Sequence, residues 1–440
     1  MKNNKKVIKN LIFIGYIILG FFLLICHEPW RDEANTWLIA KNLNIFQLFD
    51  EIRVDGNPCF YYLFLFPFAK SGLPYIFNNI ISFSISIITS YLLIYKTKFS
   101  NILLVLILYS SLFVYYGGIF GRSYCMVNLL FVLIMVFFEK RYSYIILFSF
   151  IVAFLFNTHI MMFGFCFAIF CVQCFDYFKN NYYGIASKKK QLIGILIECI
   201  GMLFLMWQLV DCIHMNKDVF FLQRSLYAII ILFFITGLLL VYVIRRKDKF
   251  LFISVISFVF QFFGWFFVSH SGVYIRNLCF LNVIFLYSSG FKFKYLDFKL
   301  IIISLFFFLL FTRDFSLYYR DILYNFSGSR SVIEYIKKNV SLDDTILCIP
   351  NYLCTSILAY IPDYRFVDMY DERLVYMNYS IFHNDIDLDI NEYLIAKKYK
   401  YIIIGDDYKK IKNDKYKMVY VSSSSKYFYL DEKYKIYKRW

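Results

Sequence analysis

Long apolar runs separated by short polar loops fill the first three hundred residues of the chain. The runs lie at about 11–26, 74–95, 101–119, 123–138, 143–157, 160–175, 191–209, 225–244, 250–268, 278–290 and 300–312. A bilayer core of about 30 Å asks for roughly 20 apolar residues in a helix, so the pattern predicts about eleven transmembrane helices, some of them short. The loops alternate in charge. One set holds Lys96 and Lys98, Lys140 and Arg141, Lys179 with Lys188–Lys190, Arg245–Lys247 with Lys249, and Lys292, Lys294 and Lys299. The other set is 27–73, 117–122, 157–159, 210–224 and 269–277, where basic clusters are missing. Excess Lys and Arg mark cytoplasmic loops, which places the N-terminus inside and, with an odd span count, the C-terminal part outside.

The longest polar interruption is 27–60, HEPWRDEANTWLIAKNLNIFQLFDEIRVDGNPCF, which follows the first apolar run. Ala34, Trp37, Leu38 and Lys41 can share one helix face, and Ile45, Leu48, Phe49 and Ile52 follow the spacing of a second amphipathic helix. Gly56-Asn57 reads as a turn and Pro58 as a first helical residue. The apolar stretch 60–68 is too short to cross a bilayer and is expected at the interface. Six carboxylates, Glu28, Asp32, Glu33, Asp50, Glu51 and Asp55, face three cations in this loop, Arg31, Lys41 and Arg53.

Beyond residue 312 the pattern changes to short alternating elements. Ser331–Asn339, Tyr352–Tyr360 and Asn391–Lys398 read as helices. Thr345–Ile349, Arg365–Met369, Tyr401–Ile404, Met418–Val421 and Tyr427–Leu430 read as strands. The expected architecture is therefore a polytopic α-helical membrane domain, 1–312, followed by a small extracytoplasmic α/β domain, 313–440.

Composition agrees with a membrane protein: 60% hydrophobic, 18% charged, mean hydropathy +0.58. The formal charge of +16 does not indicate nucleic acid, because the Lys and Arg sit in short clusters between apolar runs. Lys2, Lys5, Lys6 and Lys9 precede the first run as in a signal sequence, but no small-x-small cleavage site follows, and Ile25 stands where a lipoprotein box needs a small residue. The segment is expected to be an uncleaved anchor. Most of the eleven cysteines lie within apolar runs, and Cys171 and Cys174 lack the partners of a metal site. Cys348 and Cys354 lie in the polar part, where an oxidising compartment would let them pair.

Asp32 and Glu33 admit two readings that are compatible. Asp32 can cap the following helix while Glu33 favours its first turn, or one carboxylate can take a proton from an acceptor hydroxyl. Asp55 is either an ordinary turn residue or a carboxylate facing the same site. Arg122, after Gly117-Gly118, is either a snorkelling cation or a clamp for a lipid phosphate. His159 and Arg276 sit at tight outer turns, as interfacial residues or along a substrate path. No P-loop, dinucleotide fingerprint, nucleophile elbow or zinc-spaced His/Cys set is present in the sequence.

Taken in order, Arg31-Asp32-Glu33-Ala34, Trp37-Leu38-Ile39-Ala40, Asp55-Gly56-Asn57-Pro58 and Phe60-Tyr61-Tyr62-Leu63 resemble the opening of the GT-C glycosyltransferases. The branch is that of protein O-mannosyltransferases and lipid A aminoarabinose transferases, with their uncharacterised bacterial relatives. The motif match covers 27–75; beyond it only the layout is similar. The resemblance implies a polyprenyl-phosphate sugar donor, transfer to a lipid, glycan or protein acceptor, and a location in the bacterial cytoplasmic membrane. It further implies Asp32 and Glu33 as catalytic carboxylates and Asp55 and Arg122 as site residues; His159 and Arg276 are added to the expected site by their position at the outer mouth, Arg276 as a second phosphate cation. Where some relatives carry a second carboxylate, this chain has Phe120 and Gly121, so a divalent cation stays unassigned.

The expected function is inverting transfer of one sugar from polyprenyl phosphate. The alternatives are a lipid-linked glycan flippase, for which paired broken helices in two symmetric halves are missing from the sequence, and an O-antigen-type polymerase or ligase. Sugar, acceptor and cofactor are not readable from the residues.

Overall fold

The structure, a computed structural model, describes residues 2–28, 30–55, 57–180, 185–215, 248–267, 272–290, 298–309, 315–324, 327–368, 373–376, 399–405, 415–422 and 432–440. It is mostly helical. The chain opens with α1 (Lys2–Cys26), whose Ile12, Tyr16 and Leu23 are buried while Leu11, Ile14, Ile18 and Phe22 stay exposed. Three short helices follow in the acidic stretch: α2 (Arg31–Asn42), α3 (Ile45–Asp55) and α4 (Phe60–Lys70). The amphipathic pattern of α3 is realised from its second turn on, with Leu48 and Ile52 buried and Phe49 partly buried, while Ile45 at its start is exposed, as is Phe46. By contrast, α2 is buried on every face from Glu33 to Ala40, so it is an internal helix and not a surface one.

The next helices are α5 (Ile76–Lys96), α6 (Asn101–Leu108), α7 (Tyr124–Phe137), α8 (Ile145–Phe156), α9 (Phe163–Phe178) and α10 (Lys188–Met215). They continue with α11 (Lys249–Phe267), α12 (Gly272–Ser288) and α13 (Phe298–Leu309). Ten of the eleven apolar runs thus fall on helical elements; the run at 225–244 lies outside the described residues. Among the described residues, four helical stretches are long and apolar enough to cross a membrane: Lys5–Cys26, Ile76–Lys96, Ile160–Phe178 and Lys188–Val210. A fifth is added if α6 and the π-helix Leu112–Ile119, bent by 44°, count as one span.

That π-helix has a sequence cause. The N–H groups of Tyr116 and Phe120 donate to the carbonyls five residues back, Ser111 and Tyr115, at 2.8 and 3.0 Å. Its Gly117 and Gly118 lie against Asn128 of α7 and Ser86 of α5; a Cβ would collide with the Asn128 side chain and crowd that of Ser86. The wide turn ends at Phe120 and delivers residues 120–122 to the first turn of α2.

At the opposite end of the helices, Asp176 of α9 accepts from Arg141 Nη2 at 3.0 Å and from Lys249 Nζ at 2.7 Å, and the Tyr142 hydroxyl donates to it as well. Two of the basic loop clusters therefore converge on one buried carboxylate.

After α14 (Phe315–Leu323) and α15 (Ser329–Asn339), the strands β1 (Thr345–Ile349), β2 (Arg365–Val367), β3 (Tyr401–Gly405), β4 (Tyr416–Val421) and β5 (Tyr434–Arg439) form one sheet in the order β2-β1-β3-β5-β4. β1 runs parallel to β2 and β3; β5 is antiparallel to β3 and β4. Central β1 and β3 are apolar runs without alternation because both faces of the sheet are covered there. A 3-10 turn, Asn351–Cys354, and α16 (Thr355–Tyr360) connect β1 to β2. Cys348 and Cys354 form a disulfide across this connection.

Several boundaries differ from the sequence pattern. The expected helix 352–360 divides into the 3-10 turn and α16, and the strand from Arg365 ends at Val367. The expected elements 391–398 and 427–430 lie outside the described residues. β5 was not anticipated, because YKIYKR alternates polar and apolar residues but is rich in Lys and Arg. α14 was not anticipated either. It lies beyond the expected boundary at 312, yet it packs on α1, and Tyr318 Oη donates to the Tyr109 carbonyl at 2.7 Å.

Candidate active site around Asp32

The first turn of α2 is where the two parts of the chain meet. Trp30, not Asp32, occupies its cap position, with extended backbone and no side-chain cap hydrogen bond. Asp32 and Glu33 are instead inside the first turn, where carboxylates interact favourably with the helix dipole. The capping role anticipated for Asp32 is therefore not what the fold uses. The N–H of Arg31 donates to Glu432 Oε1 at 3.3 Å, and the Arg31 carbonyl accepts from Thr355 Oγ1 at 3.1 Å.

Asp32 is the exposed member of the pair. Its side chain is 28% exposed, with Arg31 Nε 3.7 Å from Oδ1 and Arg122 Nη1 3.8 Å from Oδ2. These are loose ion pairs, with room for another group to approach the carboxylate. Arg122 is fixed more tightly through its second contact, a hydrogen bond of 3.0 Å from Nη1 to the Asp32 carbonyl. Its guanidinium also lies over the Trp30 ring, 5.9 Å from the centroid.

His159 belongs to the same neighbourhood. Its ring packs on Tyr124 at 5.5 Å. Burial, and then the nearby Arg122 charge, push its pKa down to about 4. Nδ1 accepts the Met161 N–H at 3.3 Å, so the neutral ring carries its proton on Nε2. The turn that presents it is anchored by the Phe60 N–H, which donates to the Asn157 carbonyl at 2.9 Å. Gln208 of α10 completes the anchor: its Nε2 donates to Asn157 Oδ1, and its Oε1 accepts from the Cys59 N–H, both at 2.7 Å.

Glu33 is placed differently. It is fully buried, and both oxygens are engaged. Oε1 faces His27 Nε2 at 3.1 Å; Oε2 accepts from Asn79 Nδ2 at 2.7 Å and from the Gly121 N–H at 3.1 Å. His27 Nδ1 in turn faces Asp321 Oδ2 of α14 at 3.3 Å. Burial opposes charge on His27, but the two carboxylates outweigh it and push its pKa up to about 10. Glu33 thus joins α1, α2, α5, α14 and the 120–122 turn, a holding role that leaves it no face toward an acceptor.

Asp55 ends α3, which packs on α10 through Phe49 against Phe204 and Trp207. Arg276 lies in α12. The side chains of both lie outside the described residues, so the structure brings together Asp32, Arg122 and His159 of the six anticipated residues, with Glu33 beneath them.

The residues not anticipated are His27, Asp321, Asn78, Asn79 and Glu432. The adjacent Asn78-Asn79 within an apolar run carried a signal, since polar groups at membrane depth need partners. Asn78 Nδ2 donates to the carbonyls of Glu33 and Gly121 at 3.1 and 2.9 Å. No local pattern marks Glu432 or Asp321.

Among the described residues, the side chains around Asp32 do not fit a divalent cation. Guanidinium groups flank Asp32 on both sides, and Gly121 has no space for a side chain beside Asn78. Among the described residues, no group of three or more His, Cys, Asp or Glu is arranged to hold a metal. No family model and no curated protein matches the chain.

Proposed function

We propose that the chain is a membrane glycosyltransferase of the GT-C type. It would move one sugar from a polyprenyl-phosphate donor to an extracytoplasmic lipid, glycan or protein acceptor. The observation that carries this reading is the partly exposed Asp32 carboxylate beside the fixed Arg122, with a neutral His159 donor in the same neighbourhood.

In this mechanism Asp32 accepts the proton of the acceptor hydroxyl as its oxygen attacks the anomeric carbon. The bond from that carbon to the phosphate oxygen breaks, and polyprenyl phosphate leaves with the electron pair. Arg122 offsets the charge that develops on the leaving phosphate, aided by its desolvated position. His159 donates a hydrogen bond from Nε2 without adding charge. Asp55 and Arg276 stand in this reading as an assisting carboxylate and a second phosphate cation.

The multi-pass topology is part of the same proposal: about eleven spans, N-terminus inside and C-terminal sheet outside. Two features support it. Arg141 and Lys249, both expected inside, meet at Asp176, whereas Asp32, Arg122 and His159, all expected outside, gather together. The Cys348–Cys354 disulfide suits an oxidising compartment.

The test is chemical. A strain lacking the protein should accumulate one polyprenyl-phosphate sugar, and the purified protein in nanodiscs should consume that lipid when supplied with cell-envelope acceptor. Unchanged lipid-linked sugars in the strain, together with no consumption in vitro, would overturn the reading and favour a transporter.

A further inference from the structure

A helix begins with N–H groups that have no partner within the helix, and a side chain at the cap position commonly accepts from them. At the cap position of α2, Trp30 makes no side-chain cap hydrogen bond. The acceptor comes from the far end of the chain. Glu432 Oε1 takes the Arg31 N–H at 3.3 Å and lies 3.7 Å from Arg31 Nε. The same Nε is 3.7 Å from Asp32 Oδ1, so one guanidinium stands between the two carboxylates.

Glu432 is itself held. It is 2% exposed, its Oε2 accepts from Tyr434 Oη at 3.1 Å, and its carbonyl accepts the Gly328 N–H at 2.8 Å. Tyr434 Oη in turn contacts Ser356 Oγ at 2.8 Å. Thr355, the neighbour of Ser356 and first residue of α16, holds the Arg31 carbonyl. The sheet domain therefore grips the Arg31 peptide on both sides, N–H and C=O, one residue before Asp32.

We propose that Glu432 is a positioning residue for Asp32: with Thr355 it fixes the first turn of α2, so that the C-terminal sheet completes the site. The inference rests on the glycosyltransferase reading for its consequence in turnover, but its structural content stands apart from it. In this proposal the C-terminal sheet domain holds the base.

Hydrogen exchange of the full-length protein in nanodiscs tests this directly. Glu432→Ala should speed exchange of the amides of 31–36 by about tenfold, as loss of a cap does, while β1 and β3 stay protected. Glu432→Gln keeps an acceptor oxygen and should retain most of the protection. Thr355→Val, which removes the other half of the grip, should loosen the same amides. In transfer assays Glu432→Ala should lower kcat about tenfold or more with little change in donor KM, and Glu432→Gln should restore much of it. Exchange at 31–36 unchanged in both Glu432→Ala and Thr355→Val would overturn the proposal. So would acceleration spread evenly through β1 and β3 in both variants. A wild-type protein that transfers no sugar sinks the glycosyltransferase reading alone, because the exchange result is read without activity.

Discussion

The Gly121 N–H donates to Glu33 Oε2 across 3.1 Å, joining the turn after the π-helix to the first turn of α2. A backbone donor can approach this closely because Gly121 lacks a side chain; a Cβ there would meet the Asn78 amide. Gly121 is also the neighbour of Arg122, which lies over Trp30 and reaches Asp32.

Gly121→Ala should therefore destabilise the protein by about 1–3 kcal/mol, the range for forcing a methyl group into a packed site. The melting temperature in detergent would fall, and transfer would fall with it as Arg122 is displaced. An unchanged melting temperature would show that the turn yields without cost.

Asp32 and Glu33 should separate cleanly on substitution. Asp32→Asn removes a partly exposed carboxylate and should leave the melting temperature near wild type. Turnover should fall by roughly two to four orders of magnitude if Asp32 is the base. Glu33→Gln breaks the buried pair with His27 and should cost about 3–5 kcal/mol of stability. Parallel thermal and transfer assays would distinguish the two. Full activity in Asp32→Asn removes it as the base.

His159 should make no contribution to pH dependence near neutrality. Its pKa is depressed to about 4, so the neutral ring is the folded form. The stability this provides is present above the unfolded value of about 6.5 and is lost as pH falls through about 4. Melting profiles of wild type and His159→Asn should therefore run parallel above about pH 7.5 and change relative to one another only as pH falls from about 6.5 to 4. A transfer-rate limb near pH 6.5 that vanishes in His159→Asn would contradict the placement beside Arg122.

The seam between helices and sheet should loosen in alkali. Burial pushes Glu28 up to about 7, although the Ser327 N–H, Arg330 and His27 favour its charge and Asp321 opposes it. Burial likewise pushes Glu432 up to about 8; Arg31 and Tyr434 favour its charge and Asp32 opposes it. For raised carboxylates the stability is fully present below the unfolded value of about 4.5 and is lost as pH rises through 7 to 8. Protease accessibility of residues 27–36 should accordingly rise between pH 6 and pH 9. Glu28→Gln with Glu432→Gln should abolish that rise.

Much of this architecture was legible because it is written in periodicity. Apolar runs located helices, unbroken apolar Thr345–Ile349 and Tyr401–Ile404 located the two central strands, and the spacing of Leu48 and Ile52 located α3. What stayed hidden depends on contacts distant in sequence. Nothing near Asp32 indicates that a carboxylate 400 residues later supplies its helix with an acceptor. Nor does Asp-Glu by itself tell which carboxylate will be buried; that is decided by His27, Asn79 and Gly121 closing around Glu33. The internal burial of α2 was hidden for a similar reason: its sequence marks one apolar face, yet Asn35 and Thr36 are buried as well.

The 401-residue separation between Arg31 and Glu432 also sets an order of events during synthesis. At ordinary translation rates roughly 20–80 s pass between the emergence of the two residues from the ribosome. Through that interval α2 exists without this acceptor. The contact that fixes the first turn of α2 thus forms only when the end of the chain arrives. On the glycosyltransferase reading proposed above, a nascent chain halted before β5 would carry Asp32 on a turn that Glu432 does not yet hold.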